Sequence, residues 1–232
     1  MGKEADQILT NVQSLREIIS AEYCEKCKVR IKDSGRKWCK RCQDRYHRYL
    51  TSNQTKEKII LSQVSERYIG ANLEHLSREA KVVVIDTDIF LYGGVGTGKT
   101  YAMAAMIREG VYQGLDCKKI SLDEFCVQIR SCYAPMSKQT EWDYIKPLID
   151  CDILFIDDLG LRTKDESDFA YVTLYTLLNK RQEMMLPTVI SSNKNLEQIE
   201  KSFDSRIASR LKLAKVIKFE GKDRREQSAE RK

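Results

Sequence analysis

Gly93-Gly94-Val95-Gly96-Thr97-Gly98-Lys99-Thr100 fits G-x-x-x-x-G-K-[ST], the pattern of a phosphate-binding loop. The chemistry requires these residue types. Glycine lets backbone amides come close to a phosphate chain, which aims the N–H groups of Gly96 and Gly98 at a β-phosphate. Lys99 is placed to bridge β- and γ-phosphates, and the Thr100 hydroxyl to hold Mg²⁺. The flanks agree. Ile89 to Tyr92 reads as a buried strand entering the loop. Tyr101 to Val111 reads as the helix leaving it, with Met103, Ile107 and Val111 on one face. That helix turns its positive end toward the same anion. Gly93 to Tyr101 is therefore the predicted nucleotide-binding segment.

Downstream, short apolar runs alternate with helical patterns. Strands are predicted at Cys117–Ser121, Asp152–Ile156, Thr188–Ser192 and Val216–Phe219. Helices are predicted at Leu122–Cys132, Glu141–Ile149 and Asp168–Met185, with two short ones across 195–213. With the strand before the loop, this predicts an α/β fold: a five-stranded parallel sheet between helices. A helix is also expected after Leu73, running toward Val82.

Three further groups belong to the same edge of such a sheet. Asp157 and Asp158 end an apolar strand, where carboxylates meet ligands in parallel sheets. Asp157 is expected to hold Mg²⁺ through water and Asp158 to orient an attacking water. Asn193 ends the next strand, where its amide can hold the water or touch a γ-phosphate. Arg206 and Arg210 lie one helical turn apart. They are either solvated or, if subunits pack side by side, able to reach a neighbour's nucleotide.

The 232 residues make one ordinary domain with an appendage, or two small domains. Hydrophobic residues are 42% of the chain, enough for a core. No apolar run approaches the ~20 residues of a membrane span, and no signal-peptide core is evident. A cytoplasmic protein without a membrane partner is expected. The net charge of +6 is unevenly spread: Tyr23 to Lys58 holds twelve Lys/Arg against four Asp/Glu, and the rest is slightly acidic.

That basic stretch contains Cys24-x-x-Cys27 and Cys39-x-x-Cys42, eleven residues apart. Four thiolates in two knuckles suit a structural, tetrahedral Zn²⁺, and a short ribbon turning at Lys32–Lys37 can close over the gap. Basic groups interleaved with Trp38, Tyr46 and Tyr49 suit either nucleic acid or an acidic protein surface. Residues 6–20 carry an amphipathic helical pattern, which packs on this module or docks a partner. Cys117, Cys126, Cys132 and Cys151, scattered among apolar residues, read as buried thiols.

The order of these motifs resembles AAA+ ATPases of the helicase-loader type, DnaC and DnaI, with the transposition helper IstB a close cousin. Residues 67–225 carry the resemblance, including Arg67-Tyr-Ile-Gly-Ala-Asn-Leu73 at the opening and the run from Leu178 to Asn193. The four-cysteine module is similar to the zinc-binding N-terminal domain of DnaI-like loaders. The resemblance implies a fold with a P-loop AAA+ core preceded by that small zinc module. It implies the domains 1–55 (helix and zinc module), 56–66 (linker helix), 67–221 (ATPase) and 222–232 (charged tail). It also implies ATP as the nucleotide, Asn193 as first sensor, Arg210 as arginine finger beside Arg206, and Arg225 as second sensor. At Gly221-Lys-Asp-Arg-Arg225 the family has G-x-S-x-R, so Asp223 stands where it carries Ser.

The activity so implied is Mg²⁺-dependent ATP hydrolysis that loads a replicative DNA helicase onto single-stranded DNA, with self-association into a ring or spiral. The alternatives are an IstB-like helper delivering a transposase to DNA and a nucleotide-switched scaffold with little turnover. A small-molecule kinase would carry an arginine-rich lid, which this sequence lacks.

Overall fold

The computed structural model describes residues 39–78, 80–81, 85–160, 168–202, 205–221 and 223. The chain divides into two compact units, Met1–Thr51 and Ser52–Lys232. In the first, the described residues form helix α1 (Lys40–Leu50), with Cys39 as its N-cap. The helix expected at 6–20, the ribbon turn at 32–37 and the pair Cys24 and Cys27 lie outside the described residues, as does Arg225.

The second unit is built on five parallel strands: β1 (Ile89–Gly93), β2 (Cys117–Ser121), β3 (Ile153–Asp157), β4 (Thr188–Ser192) and β5 (Lys215–Phe219). Their spatial order is β2-β3-β4-β1-β5. Helix α2 (Asn53–Gln63) precedes the sheet, and α3 (Lys99–Tyr112) leaves β1. Helices α4 (Leu122–Cys132), α5 (Glu141–Asp150), α6 (Asp168–Glu183), α7 (Leu196–Ser202) and α8 (Ser205–Leu211) follow in order. Local chemistry sets several of the ends. Ser121 accepts the Glu124 amide at the start of α4. Thr140 and Asp143 form a reciprocal capping box on α5.

Side chains alternate across the sheet, and both faces are covered. Phe90, Leu154, Ile156 and Ile190 point to one face, beneath apolar residues of α4 to α8. Ile89, Leu91, Ile153, Phe155 and Val189 point to the other, beneath α2 and α3. This two-sided burial is why β1 and β3 read as apolar runs, whereas the edge strands β2 and β5 carry lysines. Among the described residues no helix is long and apolar enough to cross a membrane.

Two segments differ from expectation. The helix expected at 56–66 lies at Asn53–Gln63 as α2 and packs on the core: Ile60 is buried, and Glu57 pairs with Arg108 of α3 at 3.2 Å. Its polar sequence hid that role because three of the residues that face inward, Lys56, Glu57 and Gln63, are polar. The helix expected from Leu73 toward Val82 is a single 3₁₀ turn, Leu73–His75, ended by Leu76 in extended backbone. Residues 79 and 82–84 of that stretch are not described.

Arg181 is a feature that periodicity does not reveal. It is completely buried. Its Nη1 donates to the Leu148, Ile149 and Cys151 carbonyls at 2.8, 3.0 and 3.0 Å, closing the C-terminal end of α5. Its Nε and Nη2 donate to Thr188 Oγ1 at 3.0 Å and to the Pro187 carbonyl at 2.6 Å. A cation suits the negative end of a helix, and these bonds fasten α5 and α6 to the start of β4. Beside it, burial pushes the Cys151 thiol up to about 11, against the opposing pull of the Arg181 charge. Cys117 and Cys126 are buried as well, whereas Cys132 is only partly so. Replacing Arg181 by Met removes the guanidinium that these carbonyls and the Thr188 hydroxyl share. The unfolding free energy in urea is expected to fall by about 3–5 kcal/mol.

Candidate nucleotide site

The loop after β1 departs from strand geometry at Gly93, whose φ is 151°. A Cβ there would collide with the Phe219 carbonyl of β5, the strand alongside. Gly98 is the N-cap of α3 in the left-handed region, φ 105°, and no side chain caps this helix end. The first amides of α3 are thus left for an anion. Thr97 Oγ1 donates to the Gly94 carbonyl at 2.9 Å and braces the loop. A cavity of about 410 Å³ opens here, lined by Val95, Gly96, Gly98, Lys99, Thr100 and Tyr101 together with Asp158 and Asn193.

Lys99 is only 5% exposed. Its Nζ donates to the carbonyls of Gly93 and Gly94 at 2.8 and 2.7 Å and to Asn193 Oδ1 at 2.8 Å. Loop lysine and strand-end amide are therefore in direct contact, 94 residues apart in sequence. Thr100 Oγ1 lies 3.4 Å from Asp157 Oδ1. A hydroxyl and a carboxylate side by side at the mouth of the phosphate loop are the oxygen donors that a hard cation such as Mg²⁺ takes. They fit the predicted magnesium site.

Ser191 organises the acidic end. Its Oγ donates to Asp157 Oδ1 at 2.5 Å and accepts the Asp158 amide at 3.0 Å. The Leu159 amide adds a bond to the Ser191 carbonyl at 2.8 Å, and Ser192 Oγ donates to the Leu159 carbonyl. This turn holds Asp158 at φ 57°, a left-handed conformation that Asp tolerates. Asp157 is buried while Asp158 is exposed at the cavity. The serine run before Asn193 was visible in the sequence, but its pairing with Asp157 was not. Neither was Lys119, whose Nζ stands 3.1 Å from Asp157 Oδ2.

Arg67 and Tyr68 also line the cavity, although sequence reasoning placed them only at the opening of the domain. Tyr68 meets Tyr101 edge to face, with ring centroids 6.4 Å apart. Tyr101, expected to bind nucleotide, does line the cavity. Its hydroxyl, however, accepts the Asn72 amide at 3.2 Å and pairs with His75 Nδ1 at 2.9 Å. Arg108 of α3 donates to the Ile69 carbonyl at 2.6 Å and anchors the same segment.

Arg206 and Arg210 do not line the cavity. Their guanidinium carbons lie 5.0 and 4.2 Å from the Tyr175 ring centroid, and Arg210 also donates to the Tyr175 hydroxyl at 3.0 Å and to Asn179 Oδ1. Asp223 packs its carboxylate against Gly96, in the space that a Cβ on Gly96 would take. In the first unit, Cys39 and Cys42 are three residues apart at the start of α1, both half-buried. Among the described residues no group of three or more His, Cys, Asp or Glu side chains is gathered as a metal site.

A phosphate loop, an acidic strand end and a polar strand end on one edge of a β2-β3-β4-β1-β5 parallel sheet define a P-loop ATPase fold of the AAA+ class. Residues 40–225 match the family described as IstB-like ATP binding protein, and the chain belongs to that family. It is similar to the replicative helicase loader DnaC of Escherichia coli K12, at 26% identity over 129 residues, 55% of this chain and 51% of that one. It is likewise similar to the replicative helicase loader DnaI of Bacillus subtilis 168, at 26% over 153 residues, 59% of this chain and 47% of that one. These matches span about half of each relative's length. Among solved structures, a crystal structure of DnaI superposes with a TM-score of 0.57 at 23% identity, covering 73% of this chain and 98% of that one.

The loop geometry makes a direct test. Gly93→Ala must displace the backbone of β5, and is expected to cost about 2 kcal/mol or more of stability. Gly94→Ala, whose Cβ meets only the Thr97 methyl at 3.6 Å, is expected to stay within about 1 kcal/mol of the parent chain. Denaturant melts of the two variants compare them.

Proposed function

We propose that this chain is an ATP-dependent loader of a replicative hexameric DNA helicase onto single-stranded DNA, working in the cytoplasm. The observation that carries the ATPase part is the contact of Lys99 with Asn193 beside the Thr100–Asp157 pair. These contacts bring a lysine, an amide, a hydroxyl and a carboxylate from the ends of β3 and β4 and the start of α3 close together, which supports a phosphate and cation site. Similarity to two named helicase loaders supports the biological role.

On this reading, ATP places its triphosphate over the α3 amides. Lys99 exchanges its loop carbonyls for the β- and γ-phosphate oxygens. Thr100 and Asp157 would hold magnesium, which would supply positive charge to offset the negative charge of the phosphates. Asp158, exposed at the cavity, accepts a hydrogen bond from the attacking water, and Asn193 orients that water or the γ-phosphate. The base lies toward Arg67, Tyr68 and Tyr101.

Arg210 acts in trans. Held against Tyr175 outside its own cavity, it completes a neighbour's site when subunits assemble into a ring or spiral, with Arg206 beside it. Arg225 acts as the second sensor. The N-terminal module grips the helicase. Its helix α1 exposes Tyr46, Tyr49 and Leu50 among basic residues, a surface suited to a partner. On this reading Cys39 and Cys42, one turn apart at the start of α1, are two ligands of a structural zinc, with Cys24 and Cys27 as the other two. Zinc there would fold the module rather than react.

ATP hydrolysis by the pure chain, alone, with single strands and with duplex, tests this. Stimulation by single strands is expected, with turnover falling at least about a hundredfold in Lys99→Ala. Stimulation by duplex alone would favour delivery of a transposase, the second reading that membership of the IstB-like family supports. ATP binding without turnover would make the chain a switch.

The trans role has its own test. Lys99→Ala and Arg210→Ala, each inactive alone, are expected to recover part of the activity when mixed. The mixed assembly contains sites with an intact loop facing an intact finger. No recovery would count against the trans arrangement.

A further inference from the structure

Lys119 belongs to none of the motifs on the nucleotide edge, yet it pairs with the most buried carboxylate there. Its Nζ is 3.1 Å from Asp157 Oδ2, with side chains 23% and 6% exposed. The contact follows from strand register. β2 runs parallel to β3 with Lys119 opposite Phe155 and Ser121 opposite Asp157. The two-residue period of a strand then puts Lys119, Phe155 and Asp157 on one face. The Lys119 side chain extends along that face to the carboxylate. Its backbone is pinned as well, since the Lys119 amide donates to Gln63 Oε1 of α2 at 2.8 Å.

The two oxygens of Asp157 are thus divided. Oδ1 takes the Ser191 hydroxyl and faces Thr100, while Oδ2 takes the ammonium of Lys119. We infer that Lys119 tunes the magnesium site: its charge lowers the pull of the Asp157 carboxylate on a divalent cation. A cation beside a carboxylate subtracts from the negative potential that a second cation feels. The lysine therefore stabilises the magnesium-free site and weakens retention of magnesium-bound nucleotide. This rests on the magnesium-dependent nucleotide site proposed above.

The experiment is equilibrium binding of a fluorescent ATP analogue to the full chain, in excess Mg²⁺ and in EDTA, for the parent chain, Lys119→Met, Lys119→Gln and Lys119→Arg. The parent chain is expected to bind more tightly with Mg²⁺. In Lys119→Met and Lys119→Gln that ratio should grow by at least about threefold. Lys119→Arg keeps the charge and should keep the parent ratio. A parent chain with a clear Mg²⁺ effect but unchanged or smaller ratios in Met and Gln variants overturns the role of Lys119 alone. A shift in Lys119→Met without one in Lys119→Gln would indicate packing rather than charge, and overturns it too. A parent chain indifferent to Mg²⁺ overturns the magnesium-site reading itself, and this inference with it.

Discussion

A nearly buried ammonium must be met by oxygens, and the nucleotide edge of this protein is arranged around meeting that of Lys99. Two carbonyls of its own loop and the amide oxygen of Asn193 surround Nζ. The contact joins the end of β1, the start of α3 and the end of β4. Asp157 is treated in the same way, with Ser191 on one oxygen and Lys119 on the other. The resting site is therefore paired with itself. On the proposed reading, ligand binding exchanges partners of nearly equal worth, which keeps the net energy of each exchange small.

That arrangement depends on strand order. With β1 between β4 and β5, and β3 next to β4, the C-terminal ends of three adjacent strands carry the loop, the polar end and the acidic end. Gly93 shows how close the fit is, because the β5 backbone occupies the space where any side chain would begin. Behind this edge, Arg181 of α6 fastens α5 and β4 by donating to carbonyls at the end of α5 and just before β4. The rigid part of the molecule and the chemical part thus share strand β4.

Much of this architecture was legible in the chain because it is encoded locally. The glycines and Lys99 announce the loop. The strands β2 and β4 fall at the bounds expected, Cys117–Ser121 and Thr188–Ser192, each a short run that contains Ile and closes on serine. Ser121 and Thr140 start α4 and α5 through bonds spanning three residues. Asp157, Asp158 and Asn193 could be chosen because each ends a predicted strand, and parallel strands end at the ligand edge.

The partnerships lie beyond the reach of local pattern. Polar composition made α2 resemble a linker, although Ile60 and Glu57 tie it to the core. The stretch after Leu73 had helical content but closes as one 3₁₀ turn. Arg206 and Arg210 followed helical spacing, but only the packing of α8 on α6 shows them gathered around Tyr175. By itself, the sequence determined the class of fold, the strand and helix content and the residues of the phosphate edge, since each depends on neighbours a few positions away. Only the tertiary structure decided that Lys99 meets Asn193, that Lys119 meets Asp157 and that Arg67 and Tyr68 wall the cavity. Those contacts cross from strand to strand or from loop to helix, and their register exists only once the sheet has taken its order.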